Sequence, residues 1–186
     1  GRAGLADDVS GRIVVEHIRA ATFLMADGVT PGNVDQAYVL RRIIRRAIRE
    51  ARKLGIDAPF TVKLGEVVIR DYSPAYPELE HGRDEICAEF EREEQQFAGT
   101  LERGTREFNK VIDAMPDNIR DKVFSGRKAF YLYETYGFPL ELTVEMANER
   151  GFTVDTDGFE KAYRKHQKLS RAGAEQRFKG GLADAS

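Results

Sequence analysis

The sequence predicts a mostly α-helical protein, a helical bundle with one long central helix. Apolar residues recur every three or four positions along most of the chain, which is the spacing of one helix face. One of these patterns continues from about residue 82 to 114. Gly or Pro residues separate the patterned segments, as they do where helices end. Residues 59–80 leave an alternative, since their brief apolar runs fit a short two-stranded element near residues 60–70 as well as a helix.

The first helix is predicted to begin near Ser10, a favourable N-cap residue, and to end at Asp27-Gly28. The following Thr30-Pro31-Gly32-Asn33 is typical of a turn. A second helix is predicted from about Val34 to Leu54. One side of it is an apolar stripe, formed by Leu40, Ile44, Ala47, Ala51 and Leu54. The other side carries seven bases, namely Arg41, Arg42, Arg45, Arg46, Arg49, Arg52 and Lys53.

The long helix predicted for residues 82–114 has a heptad-like apolar seam, formed by Ile86, Phe90, Phe97, Leu101, Phe108 and Ile112. Its first half is acidic. Further helices are predicted for 125–135, for 139–149 and from Asp155 or Asp157 to about Leu169. We therefore expect one helical domain at residues 1–169, with a sub-boundary near 115–125, and a linker at 170–186.

Composition excludes several classes of protein. The chain has 186 residues, 41% of them hydrophobic, so it can bury a core. The formal net charge of −2 argues against a uniformly basic nucleic-acid binder, but not against one whose bases gather on one face. A single cysteine excludes an internal disulfide framework, and no apolar run reaches bilayer length. We expect a soluble, cytoplasmic domain.

Most catalytic patterns are missing from the sequence. His17, His81 and His166 lie far apart and have no zinc-ligand spacing. Cys87 has no histidine near it in sequence, which favours a small core residue over a nucleophile. No Gly-rich phosphate loop of the Walker or Rossmann type occurs. We therefore expect no catalytic residue in this chain.

The arginine-rich face of the second helix has two interpretations. It is a solvated face with salt bridges, for example to the acidic segment 84–94, or it binds phosphate or RNA. Charge runs are usually solvated faces. However, arginine is well suited to phosphate recognition, and only Asp35 and Glu50 oppose seven bases within the segment.

The order of several motifs resembles the central region of alanyl-tRNA synthetases over nearly the whole chain. The matching stretches are DGVTPGN at 27–33, YVLRRIIRRA at 38–47, EEQQF at 93–97, TLERG at 100–104 and LYETYGFPLELT at 132–143. The end, with LSRAG at 169–173 and FKGGL at 178–182, is similar to the segment that leads into the editing domain. The resemblance implies a helical tRNA-recognition domain between an aminoacylation core and an editing domain, neither of which is present.

The resemblance also implies the partners. They are the acceptor stem of tRNA(Ala), with its G·U wobble pair, and the aminoacylation and editing domains of the parent enzyme. It implies no cofactor on this segment, but ATP with magnesium, and zinc in the editing domain, for the parent alanine–tRNA ligase. No membrane partner is expected.

The resemblance assigns base reading to an Asn just before the Arg-rich helix, here Asn33, with Asp35 as the second choice. It assigns the other reader to the position of Glu134, where the family has Asp. Phosphate contacts are expected from Arg41, Arg42, Arg45, Arg46 and Arg49, some of which could instead pair with acids inside the domain.

Two other functions compete with this hypothesis. One is a helical scaffold that docks an acidic protein partner through the arginine face and self-associates through the seam at 86–112. The other is a DNA-binding helical domain, which the acidic overall balance disfavours.

Overall fold

The computed structural model describes residues 9–115 and 122–181, and their side chains as far as residue 169. These residues form eight helices and two short strands. In chain order they are α1 (Val9–Ala26), α2 (Asp35–Lys53), α3 (Thr61–Tyr72), α4 (Pro77–His81), α5 (Arg83–Asp113), β1 (Val123–Phe124), α6 (Gly126–Tyr136), α7 (Leu140–Glu149), β2 (Thr153–Val154) and α8 (Thr156–Gly181). The predicted mostly α-helical fold with one long helix is confirmed.

The chain divides into two compact units, Gly1–Glu102 and Arg103–Ser186. The division falls inside α5. The sub-boundary expected near residues 115–125 stays a prediction. The apolar seam of α5 continues through both units, so the spacing of apolar residues gives no sign of a boundary there.

The first unit is built around α1, which packs against α2, α3 and α4. Its core takes the predicted stripe of α2, where Leu40, Ile44 and Ala47 are fully buried, together with Ile18 and Ala21 of α1. Because these apolar residues recur every three or four positions, α1 and α2 each bury one face.

Residues 61–72 form a helix, so the alternative of a two-stranded element near residues 60–70 is wrong. The reason is the carboxylate of Glu94, which accepts hydrogen bonds from Phe60 N at 3.1 Å, Thr61 N at 3.1 Å and Thr61 Oγ1 at 2.5 Å. This buried acid accepts from backbone N–H groups at the start of α3, where a helix offers no carbonyl partner of its own. Gly65 then lets the ring of Phe90 approach, since a Cβ there would lie 2.8 Å from it.

The second unit holds the two strands, which pair in parallel with Val123 opposite Thr153. Helix α6 packs against α7 and α8. At the junction of β2 and α8, the Asp155 carboxylate accepts from Gly158 N at 2.8 Å, so Asp155 is the predicted cap. Helix α8 runs to Gly181, beyond the predicted end near Leu169. The last five residues of the expected linker lie outside the described residues.

All six seam residues of α5 are buried within the single chain. In the second unit, Phe108 stacks on Phe124 with ring centres 5.0 Å apart. The scaffold hypothesis required this seam to bind a second copy. Since the chain's own side chains cover it, the structure contradicts that part of the hypothesis.

Candidate nucleic-acid interface

Asn33 lies exposed in the turn that precedes α2. The turn folds tightly against the first residues of the helix, with Gly32 N donating to Ala37 O at 2.9 Å. A Cβ on Gly32 would lie 2.7 Å from the Cβ of Ala37, so glycine is needed for this approach. The turn therefore presents Asn33 at the N-terminal end of α2, where the helix dipole favours negative groups such as phosphate.

Asp35, the second candidate reader, is also exposed and is the first residue of α2. It has φ of 49°, the left-handed conformation that Asp tolerates better than most non-glycine residues. The structure thus places both candidates on one exposed turn, two residues apart.

Arg41 connects this turn to α5. Its Nε donates to Glu93 Oε2 at 3.2 Å, its Nη1 donates to Asn33 Oδ1, and its Nη2 donates to Pro31 O at 3.3 Å. The side chain is 20% exposed, whereas that of Glu93 is 3% exposed. The guanidinium of Arg41 therefore connects the buried Glu93 to the turn before α2, where it contacts both a backbone carbonyl and the Asn33 side chain.

Arg45 and Arg49 are buried, contrary to what a phosphate-binding face requires. Arg45 Nε donates to Glu93 Oε1 at 2.6 Å, and its guanidinium lies 4.9 Å from the ring centre of Phe97. Arg49 Nη1 donates to Glu50 Oε1 at 2.7 Å. The alternative that some arginines pair with acids inside the domain is confirmed for Arg45 and Arg49, as it is for Arg41.

The other bases of α2 are more accessible. Arg42 and Arg46 are half-buried. The side chain of Arg52 is 37% exposed and pairs with exposed Asp57 at 2.7 Å, while that of Lys53 is 39% exposed and reaches Glu50 at 3.0 Å. Burial, together with the positive charge of Arg46, lowers the pKa of half-buried His17 on α1.

Two carboxylates are each shared by two bases of α2. Glu93 holds both Arg41 and Arg45, and Glu50 holds both Arg49 and Lys53. Each of these carboxylates carries one negative charge and faces two positive ones. The sequence of α2, with seven bases and two acids, is basic beside the turn that carries Asn33.

Glu134, the other candidate reader, lies on α6 in the second unit. Its side chain is 44% exposed, and its Oε1 lies 3.3 Å from Nδ1 of His166 on α8. The neighbouring Tyr133 packs its ring 5.7 Å from those of Phe159 and Tyr163, as expected of a core residue. Asn33 and Glu134 thus belong to different units.

The sequence analysis named the acidic segment 84–94 as a salt-bridge partner of α2, and the pairs of Arg41 and Arg45 with Glu93 agree with it. It did not distinguish Glu93 and Glu94 from the other acids of that segment. A signal was available, because the seam step from Phe90 to Phe97 spans seven residues and leaves the intermediate turn to these two acids. Carboxylates on an apolar helix face need buried partners. In the structure Glu94 caps α3 and Glu93 holds Arg41 and Arg45, so adjacent acids fasten two helices to α5.

Within the described part of the chain, no three His, Cys, Asp or Glu side chains come together to hold a metal ion. Burial raises the pKa of the Cys87 thiol, the opposite of what activates a nucleophile. The helices seen in residues 9–115 and 122–181 include none with the length and apolarity to cross a bilayer.

Comparisons with known proteins agree on one family. The model of the family "tRNA synthetases class II (A)" matches residues 4–184. The alanine–tRNA ligase of Treponema pallidum (strain Nichols) is 50% identical over 183 residues, which are 97% of this chain and 30% of that protein. The alanine–tRNA ligase of Borrelia hermsii is 46% identical over 98% of this chain and 30% of its own length.

The alanine–tRNA ligase of Synechococcus sp. (strain JA-3-3Ab) is 48% identical over 88% of this chain and 19% of its own length. The chain therefore spans less than a third of the curated relatives that it matches. The family model matches almost all of this chain, and so do the relatives from Treponema pallidum and Borrelia hermsii. The chain belongs to the class II (A) tRNA synthetase family, and it corresponds to a segment of the alanine–tRNA ligases.

Proposed function

We propose that this chain is the part of an alanine–tRNA ligase that holds the acceptor stem of tRNA(Ala) and reads its G·U wobble pair. The parent enzyme would attach alanine to that tRNA with ATP in the cytoplasm. The observation that carries the proposal is the exposed Asn33, presented at the start of the arginine-rich helix α2. Family membership and the chain's share of its relatives support it.

The physical basis is the shape of the wobble pair. It leaves the guanine 2-amino group without a pairing partner in the minor groove, which in A-form RNA is wide and shallow enough for side chains. Asn33 Oδ1 has two lone pairs, one of which accepts from Arg41. The second would accept from the amino group. A G·C pair already uses that amino group, so the contact would be weaker there.

The bases of α2 divide into two groups under this proposal. Arg45 and Arg49 hold the first unit together from within. Arg42 and Arg46, which are half-buried, would supply attraction to phosphates, which fixes the position of the stem but carries little sequence information. Glu134 is proposed as a second reader, with a carboxylate one methylene longer than the Asp of the family.

The test is a titration of the chain with an acceptor-stem RNA duplex that carries G·U, at two salt concentrations. A duplex with G·C at that position and a B-form DNA duplex serve as controls. We expect binding that weakens steeply with salt and favours the G·U duplex. Equal binding of the two RNA duplexes would mean that the chain binds phosphates but does not read the wobble pair. Equal binding of RNA and DNA, or of neither, would refute the proposal.

A further inference from the structure

The side chain of Arg41 is arranged to hold Asn33 in one orientation. It reaches the turn twice, through Nη1 on Asn33 Oδ1 and through Nη2 on Pro31 O at 3.3 Å. The first contact fixes which side of the Asn33 amide carries the oxygen. The second fixes the backbone from which that side chain projects. An exposed asparagine without such contacts rotates among several rotamers.

Glu93 in turn fixes Arg41. Its Oε2 accepts from Arg41 Nε at 3.2 Å, while its Oε1 is held by Arg45 Nε at 2.6 Å. The side chain of Glu93 is 3% exposed and that of Arg45 is 11% exposed, so this anchor lies inside the unit. The order of contacts runs from the buried Arg45 through Glu93 and Arg41 to the exposed Asn33.

We propose that Glu93, acting through Arg41, positions the Asn33 carbonyl oxygen for base reading, so that both are specificity-determining residues although neither touches the base. This inference rests on the proposed function. It gives Arg41 a role different from the phosphate contact expected of it. A phosphate contact needs only the positive charge, whereas this role needs three donors in a planar fork.

The experiment exploits that difference through Arg41→Lys. Lysine keeps the charge but cannot join Glu93, Asn33 and Pro31 in the same geometry. The measured quantity is the ratio of the dissociation constants for the G·C and G·U duplexes, with its salt dependence. We expect Arg41→Lys to reduce the ratio about fivefold and to leave the salt dependence unchanged. Arg52→Lys, on the same helix but paired with exposed Asp57, is the matched control and should change neither quantity.

Two further variants complete the test. Glu93→Gln should lower the ratio as Arg41→Lys does, and its folding is checked by circular dichroism. If it fails to fold, Arg41→Lys still decides the question. In an Asn33→Ala background, Arg41→Lys should change the ratio by less than about twofold, because both substitutions remove one interaction.

The outcomes separate this inference from the proposed function. If Asn33→Ala lowers the ratio and Arg41→Lys does not, the inference is overturned and Asn33 remains the reader. If no variant lowers the ratio, base reading by Asn33 fails and the inference fails with it. Loss of affinity for both duplexes in equal proportion on Arg41→Lys would also overturn it, since that result shows a phosphate contact.

Discussion

Replacing Arg45 by Gln should destabilise the first unit far more than replacing Arg52 by Gln. Both arginines lie on α2, and each forms an ion pair, at 2.6 Å to Glu93 and at 2.7 Å to Asp57. They differ in exposure, since the side chain of Arg45 is 11% exposed and that of Arg52 is 37% exposed. Because both arginines are paired, a difference between the two variants reports the effect of burial on the energy of an ion pair.

The magnitude follows from what each substitution leaves behind. Arg45→Gln leaves the buried Glu93 with Arg41 as its charged partner, and breaking a buried ion pair costs about 3–5 kcal/mol. Loss of the guanidinium over Phe97 adds about 1 kcal/mol. Because Arg41 still faces Glu93, we expect a total near 3 kcal/mol. The exposed pair of Arg52 is worth less than about 1 kcal/mol.

Urea denaturation followed by circular dichroism at 222 nm gives both free energies of unfolding. Each variant is measured beside the unsubstituted chain in the same buffer. If Arg45→Gln costs no more than Arg52→Gln, then Arg45 is not an internal support. Its assignment to phosphate binding would then be restored.

Two more predictions concern the first unit. Glu94→Ala should lower the free energy of unfolding by about 2–4 kcal/mol, because the amides of Phe60 and Thr61 and the Thr61 hydroxyl lose a buried charged acceptor. Glu91→Ala, at an exposed site on the same helix, should cost less than about 0.5 kcal/mol by the same denaturation assay. The pKa of His17 is lower in the folded chain than in the unfolded chain, so the unfolded state binds more protons and stability falls as pH drops below about 6.5. Urea midpoints at pH 7.5 and 5.8 should differ less in His17→Gln than in the unsubstituted chain or in His81→Gln, and an identical pH dependence in all three would contradict this.

Much of the fold followed from sequence because its determinants are local. Apolar spacing located α1, α2 and α5 to within a few residues, and a positive φ at Gly28, Gly55 and Gly137 matches the predicted helix ends. Residues 61–72 stayed ambiguous because the group that starts their helix, Glu94, lies 33 residues away in sequence. Propensity alone cannot show such a cap.

The sequence predicted the candidate site less completely than the fold. The turn with Asn33 and the run of bases on α2 were visible in sequence, but their division into buried and exposed members was not. Helical spacing places Arg45 on the polar face, yet Glu93 and Phe97 of α5 cover that part of the face. Contacts between helices distant in sequence decide which arginines remain available.

The central claim is that Asn33 reads the wobble pair, and the most direct measurement is the effect of Asn33→Ala on duplex preference. Isothermal titration of the unsubstituted chain and the variant with the G·U and G·C duplexes gives four dissociation constants at one salt concentration. We predict that the variant loses about tenfold in affinity for the G·U duplex and keeps its affinity for the G·C duplex. An unchanged ratio of the two constants would contradict the claim and place discrimination elsewhere in the enzyme.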